Sequence, residues 1–238
     1  RITVEIFPSA QLGSQEDNVA SLANNSLEMT CVNSTILNTI SPSTMMLACP
    51  ALFANEEECD AVLASEWGQN FWDNVAKESG VRVLSAFCNG MRSFTTSNKE
   101  LTTVDSAKGV TFRVMPSAVY EKMVEAIGAN PVPMPGSEMY TAMQNGTVDG
   151  QDNPLPTVKS AKFYEVQKSI SLTNHLVDSV WPTINLNTWN KLTDTQKGWV
   201  MEAVEAARIA CDEQNIKTES EVQDFLREQG LTIYEADV

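Results

Sequence analysis

The sequence predicts an α/β protein with parallel strands, and three observations lead there. Between Val110 and Gln151, strand-like and helix-like stretches alternate as βαβαβ with short connections. A strand–helix–strand run also opens the chain, from Ile2 to Val32. After Thr193 there is no proline, and Val200, Val204, Ala207 and Cys211 recur at helical spacing.

Taken in order, Ile2–Phe7 alternates apolar and polar residues and reads as a strand stopped by Pro8. Gln15–Asn24 reads as a helix, ended near Asn25, which tolerates the left-handed conformation. Leu27–Val32 is the next strand. Glu56–Ser79 holds two helical stretches with a break placed near Gly68 and a stop at Gly80, and Val81–Phe87 is an apolar strand. The central unit follows: strand Val110–Met115, helix Ser117–Ile127, strand Pro131–Met134, helix Ser137–Asn145 and strand Val148–Gln151, with Gly128 and Gly146 past the helix ends. Its crossovers should be right-handed. Ser169–Leu172 and Val180–Leu186 look like separate strands. Thr193-Asp-Thr-Gln196 is a capping box. Beyond it stands either one long helix or two helices broken near Asn215, then a last strand at Leu231–Tyr234.

With 238 residues, 42% of them hydrophobic, the chain can bury the core of one large domain or two modest lobes. No window approaches the ~20 apolar residues that span a bilayer. No basic-then-apolar leader starts at Arg1, so any signal peptide is removed or lies outside this chain. The formal net charge of −15 disfavours nucleic acid and anionic lipid. An anionic ligand would therefore need a local cluster of cations. The five cysteines form no CxxC pair and there is one histidine, which argues against a zinc site. No cofactor is expected.

In open α/β sheets, ligands sit beyond the carboxyl ends of strands. That rule singles out Arg113, at the end of a strand whose neighbours Phe112 and Val114 face the other way. A guanidinium fork binds a carboxylate through two parallel hydrogen bonds. Asn153, after the strand at Val148, lies at an equivalent place with an amide that donates and accepts. The residues alone leave other roles open: an ion-pair partner for Arg113, and a turn for Asn153 before Pro154. Arg92 reads by itself as a loop arginine, and Glu138, Asp149 and Asp152 as capping or turn residues. His175 reads as structural. No nucleophile elbow, Walker loop or dinucleotide fingerprint is present, so no enzyme is expected.

Several ordered stretches carry a resemblance. Gly109-Val-Thr-Phe-Arg-Val resembles the G-x-K-x-R-V element of the solute-binding subunits of tripartite ATP-independent periplasmic (TRAP) transporters, with Thr111 in place of Lys. Phe7-Pro-Ser-Ala-Gln-Leu-Gly-Ser, Ser137-Glu-Met-Tyr-Thr-Ala-Met-Gln-Asn-Gly, Val148-Asp-Gly-Gln-Asp-Asn-Pro and Leu172-Thr-Asn-His match the same family. The resemblance implies a two-lobed periplasmic binding protein fold with a sheet in each lobe and a long bridging helix. Mapped onto this chain, lobe I is 1–90 plus 179–218 and lobe II is 91–178 plus 219–238. It implies a periplasmic protein, expected as a monomer, that closes on a small organic acid and delivers it to membrane permease subunits; docking on a sensory receptor is the alternative. The family's carboxylate-clamping arginine falls on Arg113, a second ligand-facing arginine on Arg92, and a polar contact on Asn153. Relatives carry a further strand and helix before Phe7. The sialic-acid-binding branch looks similar around Asn89–Asn98 and Gln151–Thr173, yet its aromatic pocket residue is Gly136 here, which enlarges the pocket. Trp181 is a candidate replacement wall, with a core position as the other reading.

Overall fold

In the computed structural model, residues 1–97 and 99–236 are described, with the backbone alone over 215–220. The chain divides into two compact units. Unit 1 comprises Arg1–Leu47, Glu57–Cys88 and Ser179–Glu213; unit 2 comprises Ala48–Glu56, Asn89–Asp178 and Gln214–Val238.

Unit 1 starts with helix α1 (Gln15–Ala23), whose Ser14 cap and Asp17 exchange hydrogen bonds in a capping box. Strand β1 (Met29–Asn33) follows. Helices α2 (Glu56–Ala64) and α3 (Glu66–Ser79) break at Ser65, not at Gly68. Ser65 caps α3 by accepting from the Gly68 N–H, and Gly68 lies inside the helix. Its role is close approach: a Cβ there would stand 2.0 Å from the Leu63 carbonyl oxygen. Gly80 ends α3 in the left-handed conformation. Strand β2 (Val81–Val83) and β1 both pair antiparallel with the later part of strand β7 (Ser169–Asn185). Helices α7 (Leu186–Lys191) and α8 (Asp194–Glu228) follow, and the predicted Thr193–Gln196 capping box is formed. Helix α8 is continuous through Asn215, and the division between the units falls within it, after Glu213.

Two expectations for unit 1 fail. Ile2–Phe7 forms no strand; it joins no described ladder, and Val4, Ile6 and Phe7 are exposed. Alternation alone cannot hold a strand whose N–H and C=O groups lack a neighbour. The parallel pairing inferred from the opening strand–helix–strand run fails with it, because β1 pairs antiparallel with β7.

In unit 2, strand β3 (Phe87–Thr96) pairs antiparallel with β6 (Gly150–Pro154). Strand β4 (Thr111–Val114) runs parallel to both β6 and β5 (Asn130–Pro133). The order β7-β3-β6-β4-β5 contains the βαβαβ unit read from the sequence, with helices α4 (Ala118–Ala126) and α5 (Met139–Gln144) as its crossovers. Strand β8 (Thr232–Glu235) pairs parallel with the start of β7. Helix α6 (Leu155–Ser160) follows β6 directly. Met139, Met143, Val148, Leu155, Val158, Ile170, Val222 and Leu226 form one buried apolar cluster of this unit.

Gly150 shows how tightly β3 and β6 meet. A Cβ on it would stand 2.0 Å from the Thr95 carbonyl oxygen and 3.0 Å from the Phe112 ring. Gly150→Ala should therefore force the strands apart and cost at least about 1–3 kcal/mol. A denaturant midpoint equal to that of the wild type would show that the ladder accommodates the methyl group.

Candidate functional site

The register of unit 2 sorts the candidate residues by face. Arg113 on β4 pairs with Gln151 on β6, Gln151 with Thr95 on β3, and Asn153 with Ser93. Side chains alternate along strands, so Arg113, Gln151, Asn153 and Thr95 share one face. Arg92, Phe94, Phe112 and Asp152 share the other.

On the first face the Arg113 side chain is 4% exposed. Its Nε and Nη2 donate to the Met134 carbonyl oxygen at 3.0 and 2.8 Å, which fixes the plane of the guanidinium. The Asn153 amide donates to Gln151 Oε1 and lies 3.8 Å from Met139 Sδ. Gln151 in turn donates to Thr95 Oγ1 at 3.0 Å, and Thr95 to Gln167 Oε1 at 2.9 Å. A buried relay thus orients the Asn153 amide from behind. Gln151, Thr95 and Gln167 are the residues that sequence reasoning passed over. For Gln151 the signal was present: it stands two before Asn153, hence on the same side of the strand.

The second face holds a buried ionic cluster. Arg92 is 1% exposed; its Nε meets Asp152 Oδ2 at 2.6 Å and its Nη1 meets Asp178 Oδ1 at 2.7 Å. Its Nη2 donates to the Asp152 carbonyl oxygen. The Tyr120 ring of α4 lies 5.4 Å from the guanidinium, and Asn89 donates to Asp178 at 2.8 Å. Burial pushes the Asp152 carboxyl up, but the Arg92 charge and His175, 3.5 Å away, outweigh it and hold the group well below the ordinary carboxylate range. His175 also stacks on Phe94 and shares a hydrogen bond with Thr173, in keeping with a structural role.

The structure therefore brings Arg113 and Asn153 together and sets Arg92 apart. Arg92 lies on a strand and not in a surface loop, on the opposite face from Arg113, with its charge matched by two carboxylates. Asp152 is likewise a buried ion partner and not a turn residue, whereas Asp149 accepts from the Thr111 N–H at the head of β4. Trp181, in unit 1, has no exposed surface; its indole N–H donates to Ser179 and its ring meets Trp72 edge-on at 4.8 Å. It takes the core position. Among the described residues no group of His, Cys, Asp and Glu is placed to hold a metal ion.

The chain matches the family model described as bacterial extracellular solute-binding protein, family 7, over residues 1–237. It belongs to this family of solute-binding proteins. The sialic acid-binding periplasmic protein SiaP of Vibrio cholerae is 33% identical over 238 residues, all of this chain and 74% of that one. A TRAP periplasmic solute-binding protein from Roseobacter denitrificans, solved with bound 3-deoxy-D-manno-oct-2-ulosonic acid, is 34% identical, covers 96% of this chain and 76% of its own, and superposes with a TM-score of 0.91. Another from the same organism, solved with L-galactonate, is 30% identical at a TM-score of 0.94, with 100% and 78% covered. The α/β fold expected from the sequence is thus the fold of TRAP solute-binding proteins, and capture of a solute for such a transporter is the function of the family.

The ionic cluster makes two measurable demands. Arg92→Met leaves buried carboxylates without their cation and should cost about 3–5 kcal/mol at pH 7, read from denaturant midpoints. The depressed Asp152 adds stability that is present above its unfolded value near pH 4 and lost as pH falls toward its folded value. Asp152→Asn should therefore flatten the loss of stability below about pH 4; an unchanged acid limb would remove Asp152 from the account.

Proposed function

We propose that this chain captures a sugar acid in the periplasm, holding the carboxylate on the Arg113 face of unit 2, and presents it to the permease subunits of a TRAP transporter. The observation that carries the reading is the pairing of Arg113 and Asn153 on one face, at the ends of adjacent parallel strands, each oriented by its own hydrogen bonds. Parallel strand ends are where α/β sheets receive ligands. An oriented guanidinium fork supplies two charge-assisted hydrogen bonds to a carboxylate, and the amide reads a neighbouring hydroxyl. The relatives named above were found with, or are named for, sugar acids.

The charge distribution fits this role. A chain of net charge −15 repels anions at long range, so selection falls to the few cations at close quarters. A buried Arg113 binds more strongly than an exposed one because little water competes for it. Arg92 acts at one remove by holding β3, β6 and β7 in register behind the site. The protein works as a monomer, releases the acid unchanged, and depends on ligand-induced closure for presentation to the permease. No observation favours the receptor-docking alternative.

The test is calorimetric titration against a panel of aldonates, hexuronates, ulosonates and C4-dicarboxylates, with product analysis of the recovered ligand. One class should bind and return intact. Arg113→Ala should raise its Kd at least about 30-fold, the equivalent of 2 kcal/mol or more, while the far-UV spectrum is retained. Arg113→Lys should recover part of the loss, since it restores charge but not the fork. Unchanged affinity in Arg113→Ala would exclude the clamp, and a converted ligand would make the protein an enzyme.

A further inference from the structure

We propose that unit 1 carries a second ligand site, a cavity beside Arg82 that takes a small zwitterion with an apolar body: a free apolar amino acid. Every residue of this cavity belongs to unit 1, so the site stands or falls independently of the Arg113 clamp.

The cavity has a volume of about 500 Å³, within the range of small-molecule sites. Asp60 of α2, Trp72 and Asp73 of α3, Arg82 of β2, and Met201 and Arg208 of α8 line it. It borders β2, which pairs with β7 and has no second ladder among the described residues.

Arg82 is the group that asks for a ligand. Its guanidinium stands 5.0 Å from the centre of the Trp189 ring, an orienting cation–π contact. It forms no hydrogen bond or ion pair with any described residue, and its Nε is buried. In a chain with 31 acidic side chains against 16 basic ones, an arginine without a carboxylate partner is unexpected. A buried donor without an acceptor is costly, and a carboxylate in the cavity would supply the acceptor.

The remaining uncommitted charges of the cavity are negative. Asp60 and Asp73 accept no hydrogen bond from any described residue. Burial pushes the Asp60 carboxyl up, Asp212 adds to the shift, and the charge of Arg208 opposes it only in part. Arg208 is already engaged, with Glu205 at 2.7 Å and Asp212 at 2.5 Å. A ligand bearing only a carboxylate would face Asp60 and Asp73 unopposed. One bearing only an ammonium would leave Arg82 without an acceptor. A zwitterion answers both, and Trp72 and Met201 give its body an apolar wall.

The experiment is calorimetric titration of the full chain with L-leucine, L-methionine and L-phenylalanine. Each is compared with its amide, which lacks the carboxylate, and with its N-acetyl derivative, which lacks the ammonium. At least one free amino acid should bind about tenfold more tightly than both of its derivatives. Arg82→Gln should weaken that binding about tenfold and abolish the preference over the amide. Asp73→Asn, a change at an exposed position, should weaken it as well and narrow the preference over the N-acetyl derivative. Arg113→Ala should leave the amino acid affinity as it is. Absence of saturable binding for all three amino acids would overturn the proposal. So would an affinity that is unchanged in both Arg82→Gln and Asp73→Asn, or one that is lost in Arg113→Ala.

Discussion

Arg92, buried with Asp152 and Asp178, is the interaction on which unit 2 depends. It ties three strands together: β3 carries the guanidinium, β6 carries one carboxylate and β7 the other. Taking three charges out of water is costly, and hydrogen bonds from Asn89 to Asp178 and from Arg92 to the Asp152 carbonyl offset part of that cost. Such a network specifies geometry more than it adds stability. A one-residue slip of β6 would take Asp152 away from Arg92 and turn Asn153 and Gln151 to the wrong face.

Strand β6 thus does two things with five residues, all of them buried. Its inward carboxylate locks the sheet, and its alternate positions present amides on the side of Arg113. A motif records that a residue type is wanted at a position, while the register decides which face of the sheet it serves. Here the family's two arginines lie back to back across the sheet, one satisfied by the fold's own carboxylates, the other oriented by a backbone carbonyl.

Much of the fold was legible because helix ends and apolar strands leave strong local marks. The βαβαβ unit around Arg113, the Thr193–Gln196 capping box and the Gly80 stop all stand where the sequence puts them. The errors share a physical cause. Strands β3 and β6 are rich in Asn, Gln, Asp, Arg, Ser and Thr, buried because they pair with one another, so hydrophobic alternation is missing where burial is deepest. Strand β7 read as two pieces because Thr173, Asn174 and His175 interrupt its apolar pattern, with Asn174 at a φ of 43°. Ile2–Phe7 shows the reverse, a sound alternation that joins no ladder among the described residues. As for the site, Arg113 and Asn153 could be found by the strand-end rule. Gln151 could be read from its place two before Asn153 on the same strand, whereas Thr95 and Gln167 could not, because their importance lies in the register, which a single sequence does not display.

The family holds its fold while its members bind different acids, and the division of labour in unit 2 suggests how. The buried cluster and the Arg113–Asn153 pair lie on opposite faces of the same strands, so side chains around one can differ without touching the other. The central claim is that Arg113 receives the carboxylate of a sugar acid. The most direct measurement is a crystal structure of the full protein with its tightest-binding acid. The account predicts carboxylate oxygens within about 3 Å of the Arg113 guanidinium, an oxygen of the ligand on Asn153, and Arg92 still paired with Asp152 and Asp178. A carboxylate held elsewhere, with Arg113 bound only to protein groups, would contradict it.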